Sequence, residues 1–237
     1  MQSPILLPSD FDSTFQILLR WTHLLAGITW IGLLYFFNLV TTPLLPTLDP
    51  PVRGKLITLL LPRALWWFRW GAVVTVAAGM TYWIIILSRD HAPMLRTLLI
   101  WAVLIFAAIG IQALLLRISA LTKNSSAFVI AVLLVVGLQG HAMTKLLVYP
   151  GMSHRALSIA IGGGIGVFLM SNVLDIVWPA QRRFIAWCSA NPGQPPPPDL
   201  AAALRRAQLV SRASFWLSFP MLFFMAAASH FPFFVSN

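Results

Sequence analysis

Glutamate is absent from the 237 residues, so all six acidic side chains are aspartates, and there is one cysteine, Cys188. A lone cysteine excludes an internal disulfide framework and any cysteine-based zinc or iron–sulfur site. Without a C-x-x-C-H sequence, no c-type haem can be attached to this chain. Charge of either sign is scarce: 9% of residues are charged against 59% hydrophobic, with a mean hydropathy of +0.83. A soluble domain cannot cover its surface from that composition, so the expected solvent is a lipid bilayer. The net charge of +10 would suggest nucleic acid in a soluble chain. Here the basic residues fall between apolar runs, where they set orientation in a membrane, and no nucleic-acid partner is expected. The chain also has no Lys or Arg before its first apolar run, only Asp10 and Asp12. It therefore lacks the positive start of a secretory signal, and the first helix is expected to stay.

A helix crossing the hydrocarbon core needs roughly 20 apolar residues, and proline, glycine and charge mark the ends. The expected fold class is all-α, a polytopic transmembrane helical bundle of six spans in a single integral membrane domain, residues 1–237. The spans run from Phe15 to Leu39, Ala64 to Leu87, Met94 to Leu116, Ala127 to Val148, Ala156 to Val177 and Ala213 to His230. Ser9 or Asp10 would cap the first, Pro43 and Pro46 would stop it, Pro179 would end the fifth, and Pro220 would kink the sixth. Pro50-Pro51 opens a short helix expected to lie in the interface, and the Pro-rich segment 191–199 reads as a stiff linker before a helix from Leu200. With the N-terminus outside, eleven Lys and Arg fall on inner loops and five on the outer side, so both termini are expected outside. Trp66, Trp67 and Trp70 then form an inner aromatic belt, with Arg69 among them.

All five histidines fall in the outer half of that topology. His23 and His141 lie at a common depth of about 12 Å by helical rise, each with a glycine one turn away, Gly27 and Gly137. Two neutral imidazoles at equal depth, with room for a flat macrocycle, suit the axial positions of a b-type haem iron. The plainer alternative is that each bonds a neighbouring helix or a buried water. His230 and His154 are interfacial candidates, and His91 reads as a loop residue. Asp175 reads either as part of a proton path or as an interfacial partner of Arg182 and Arg183. Gly162, Gly163, Gly164 and Gly166 suggest close helix packing, and Met221 to Met225 lipid-facing or core packing.

Four stretches carry a resemblance: RWTHLLAGITWIGLLYFFNLV (Arg20 to Val40), LLPRALWWFRWGAVVT (Leu60 to Thr75), MSNVLDIVWPAQRR (Met170 to Arg183) and LSFPMLFFMAAASHF (Leu217 to Phe231). Together they resemble the membrane domain of the bacterial membrane-bound urate oxidase family, in which a c-type cytochrome domain follows the membrane part. The spacing of His23, Trp30 and Gly32 is also similar to haem-binding membrane proteins of the protoporphyrinogen oxidase and copper-resistance type, where the first-helix histidine is a ligand candidate. The sequence stops at Asn237 without the cytochrome domain. The expectation is a redox subunit of the bacterial cytoplasmic membrane, holding haem b between His23 and His141 and relaying electrons to or from an outer-side c-type cytochrome or larger complex. Two other readings stay open: a cofactor-free structural subunit of a respiratory or photosynthetic membrane complex, and a urate-oxidising enzyme that uses a separate cytochrome. No constellation that would recognise a purine stands out.

Overall fold

The computed structural model describes residues 10–234, and Ser9 lies outside them. Among the described residues all regular structure is helical. Helix α1 (Phe11–Tyr35) is capped by Asp10, whose carboxylate accepts from Ser13 N–H at 2.7 Å; that bond holds the Asp10 carboxyl below its ordinary value. The rod does not stop before Pro43. It passes through a π-helical turn (Phe36–Thr41) into α2 (Thr42–Leu44) and a 3-10 turn ending at Thr47. Proline is tolerated because Pro43 and Pro46 each open a new helical segment, where the missing N–H has no partner to lose.

Helix α3 (Pro50–Leu59) meets α4 (Leu61–Arg89) at Leu60, and α5 (Met94–Leu115) returns. The short α6 (Ser119–Lys123) turns into α7 (Ser125–Leu146), whose first N–H groups are capped by Asn124 at 3.1 Å. Helix α8 (His154–Ser171), capped by Ser153, continues through a second π-helical turn (Asn172–Val177) into α9 (Trp178–Ala190). Pro179 therefore opens α9 rather than ending the span, again by sitting in the first turn. Helix α10 (Pro198–His230) joins the expected linker-side helix and the last span in one rod that passes Pro220 without a break.

Six of these rods are long and apolar enough to cross a membrane. The α8–α9 rod is the axis: 72% of its most apolar stretch is buried, against 22–39% for the others. Helices α4, α5, α7 and α10 pack on α8, while α1 packs along the outside of α4. Small residues on α8 allow this approach. A methyl group at Gly162 would meet Met221 O at 3.2 Å and Phe224 Cβ at 3.1 Å on α10, and one at Gly164 would meet Met143 Cε on α7 at 2.8 Å. The glycine patch is thus a packing surface, and Met221 is core. Where α8 exposes carbonyls beside Ala156 and Ala160, Trp83 Nε1–H and Trp101 Nε1–H donate to them at 2.9 and 2.8 Å. These two buried indoles lie 5.0 Å apart.

Side chains tie each end of the bundle. At the terminal end of the bundle, where α1 begins and α10 ends, Asp12 pairs with Arg89, Ser153 N and Oγ donate to Asp90 at 2.9 and 2.6 Å, and Arg155 donates to Ala228 O at 3.3 Å. Tyr149 is buried there, and burial together with Asp90 pushes its phenol up to about 12. At the opposite end Arg205 donates to Thr122 O and Ser125 Oγ, strapping α10 to the α6–α7 turn. Arg183 there pairs with Asp199 at 2.6 Å, not with Asp175. Trp66, Trp67 and Trp70 are exposed as a belt residue should be, and Arg69 lies 4.9 Å over Trp70 and 4.4 Å over Trp178.

Candidate functional site

Helices α1 and α4 run antiparallel, and polar groups meet along their seam at each turn. From the terminal end inward come Asp12 and Gln16 with Arg89, then Arg20 with Tyr82, then His23 with Thr75. Arg20 both donates to Tyr82 Oη and lies 4.8 Å over its ring. His23 Nδ1 is 2.8 Å from Thr75 O. A carbonyl only accepts, so Nδ1 donates the proton of this bond, and Nε2 has no hydrogen-bond partner among the described residues. Glycine makes the seat: a methyl group at Gly79 would lie 2.8 Å from His23 Nδ1 and 2.9 Å from Cε1. Deeper still, Gly27 faces Thr75, where a methyl group would meet Cγ2 at 3.6 Å. Gly27 thus lies on the α1–α4 seam, within ordinary van der Waals reach of Thr75.

His23 and His141 are not brought together. Helix α7 packs on α5, α8 and α10, away from the α1–α4 seam, and His141 is exposed on it beside exposed Gly137. Their depths also separate. His23 is twelve residues into α1, about 18 Å from the helix start, while His141 is five residues from the end of α7, about 7.5 Å. The equal-depth expectation placed the start of α1 four residues too late and the end of α7 two residues too late. His23 is fixed through one nitrogen, and it does not face His141 of the same chain. His230 ends α10 exposed, His91 lies in the α4–α5 loop with a φ of 51°, and His154 opens α8 half-buried with Nδ1 enclosed and unpartnered among the described residues.

A family model described as Urate oxidase N-terminal matches residues 52–237, more than three quarters of the chain. The chain belongs to the urate oxidase N-terminal family. No curated protein and no solved structure matches it. The matched stretch contains the Thr75–Tyr82 side of the seam together with Gly137, His141 and His230, and begins after α1, which carries Gly27 and His23.

This urate oxidase family domain also holds a buried polar network that the histidine-centred reading missed. Gln112 of α5 donates to Asn172 Oδ1 at 2.5 Å, and Asn172 Nδ2 donates to Ser214 Oγ of α10 at 3.1 Å. All three are at most 3% exposed. The serines Ser211, Ser214 and Ser218 share one face of α10. Ser211 Oγ accepts from Asn38 at 3.0 Å, and Ser218 Oγ lies 3.0 Å from Tyr35 Oη. Trp30, Asn172, Ser211 and Ser214 line a cavity with room for a single water, and Trp30 Nε1–H is enclosed without a partner among the described residues. The available signal was an amide inside an apolar span, as costly in lipid as a histidine. Asn172 also opens the second π-helical turn, a feature frequent at functional positions.

Proposed function

We propose that the chain is a membrane redox subunit of a urate oxidase type assembly in the bacterial cytoplasmic membrane, in which His23 on the α1–α4 seam would hold a b-type haem. The observation that carries this reading is the bond between His23 Nδ1 and Thr75 O. Metal-binding histidines commonly use their second nitrogen in this way, which fixes ring and tautomer and raises the basicity of the ligating nitrogen. When bound, the haem supplies one-electron transfer. The chain's own residues orient the ligand: Thr75 O holds the proton of His23, the bare face of Gly79 admits the ring, and Arg20, one turn toward the terminal end, offers a cation for a propionate. His141 is not assigned to the same haem, because it is exposed on α7, on another side of the bundle. The electron partner is an outer-side c-type cytochrome or a larger complex.

The test is a dithionite-reduced minus oxidised spectrum with a pyridine haemochrome assay on protein purified from haem-replete cells. A b-type band present in the wild type and in His141→Ala, and lost in His23→Ala, supports the assignment. A full band in His23→Ala removes it. Urate enters as a candidate substrate through the family alone, and urate-dependent reduction of added cytochrome c by membranes carrying the chain tests that extension.

A cofactor-free structural subunit is the second reading, favoured by the tight interior, where the cavity beside Trp30 and Asn172 has room for no more than a single water. Absence of any haem band, with stoichiometric co-purification in a large complex, selects it.

A further inference from the structure

At the end opposite the termini, a groove of about 390 Å³ opens between α5, α9 and α10, within the roughly 300–1,000 Å³ of small-ligand sites. Its apolar lining includes Ala113, Leu116, Ile176 and Ala203, and its charged groups are Asp175, Arg117, Arg183 and Arg206. Arg183 is committed to Asp199. Among the described residues no ion pair or side-chain hydrogen bond engages Asp175, Arg117 or Arg206. One carboxylate and two guanidinium groups therefore line the same groove without closing on each other.

The depth of the groove follows from helix length. The 22 residues of α5 rise about 33 Å, close to the roughly 30 Å hydrocarbon core, which puts Arg117, two residues past its end, at headgroup level. Helices α9 and α10 continue past that level and form a wall. On α5 the apolar Ala113 and Leu116 lie on the bilayer side of Arg117, which gives an acyl chain a path beside the charged groups and suits an amphipathic molecule in the leaflet. A purely anionic headgroup would meet repulsion from Asp175, whereas a headgroup with both an ammonium and a phosphate uses every charge.

We infer that this groove binds an aminophospholipid, its phosphate on Arg117 and Arg206 and its primary ammonium on Asp175, with an acyl chain over Ala113 and Leu116. The site is independent of any haem at His23. Choline headgroups carry no N–H donor for the carboxylate, and glycerol headgroups carry no cation, so both bind less well.

The experiment is native mass spectrometry of the full-length protein, exchanged into detergent containing equal amounts of phosphatidylethanolamine, phosphatidylglycerol and phosphatidylcholine. The wild type should retain phosphatidylethanolamine on the order of tenfold over the other two. Asp175→Asn should lose the preference over phosphatidylglycerol while still binding lipid, and Arg117→Gln with Arg206→Gln should lose most retained lipid of every class. These side chains are exposed, so the fold should survive, and helical circular dichroism checks it. Equal retention of the three lipids by the wild type, or an unchanged preference in Asp175→Asn, overturns the proposal. Displacement of the lipid by millimolar inorganic phosphate alone overturns it in favour of a free-anion site.

Discussion

Replacing Gly79 with alanine should displace His23, and the size of the effect can be worked from the seam. The new methyl group would stand 2.8 Å from Nδ1 and 2.9 Å from Cε1, closer than real Cβ contacts allow, so the imidazole must turn away. Overpacking of this kind costs about 1–3 kcal/mol. The 2.8 Å bond to Thr75 O is lost with it, and a net hydrogen bond contributes about 1 kcal/mol. Against these stands a gain of about 0.5–1 kcal/mol from replacing glycine inside a helix. The net expectation is a loss of about 1–3 kcal/mol. In a His23→Ala background, clash and bond are already gone, so Gly79→Ala should become neutral or stabilising by about 0.5–1 kcal/mol. The double-mutant cycle should then show a coupling of about 2–4 kcal/mol. Reversible unfolding in mixed micelles, followed by tryptophan fluorescence, measures all four corners. If Gly79→Ala has the same effect in both backgrounds, within about 0.5 kcal/mol, the seat described for His23 is not what the glycine provides.

Three further outcomes follow from other parts of the bundle. Asn172→Leu should destabilise by about 2–4 kcal/mol in the same unfolding assay, because Gln112 and Ser214 are left buried without their amide partner; adding Gln112→Leu should recover part of that loss. Gly162→Ala should cost about 1–3 kcal/mol by pressing on α10, and Met225→Ala should relieve it only partly, since Met221 O remains 3.2 Å from the added methyl group. For Tyr149 the folded phenol titrates at about 12 against an ordinary 10.0. An unfolded chain thus loses this proton first as pH rises, and the stabilisation, complete below pH 10.0, disappears between 10.0 and about 12. The melting temperature should fall across that window, and Tyr149→Phe should flatten that component of the fall.

The spans were legible because an apolar run long enough to cross a bilayer is a strong and local signal. What local signals mis-stated were ends and neighbours. Proline was read as a stop at Pro43 and Pro179, yet each begins a new helical segment after a π turn, and nothing in the spacing announces that turn. The glycine patch on α8 was read for what it is, since four small residues on one apolar helix mean close approach. Pairing His23 with His141 needed the packing order, which six spans of similar hydropathy leave undetermined. The true partner of His23 is a main-chain carbonyl, and a carbonyl carries no residue identity to search for. The amides Asn38, Gln112 and Asn172 could have been marked from the sequence by asking which polar side chains interrupt apolar runs.

The continuity of the α8–α9 rod and of α10 gives the molecule a polarity of shape. The 37 residues from His154 to Ala190 and the 33 of α10 rise about 55 and 50 Å, while α5 and α7 rise only about 33 Å. Because Arg155 holds the start of α8 to Ala228 near the end of α10, the two long rods are level with the bundle where the termini lie. All of their excess, about 20 Å, therefore emerges on the opposite side, where Arg183 clasps Asp199 and α3 packs against α9. A water-soluble protein approaching one membrane face meets a low rim of short turns; approaching the other, it meets a basic handle joined without interruption to the helices that line the core.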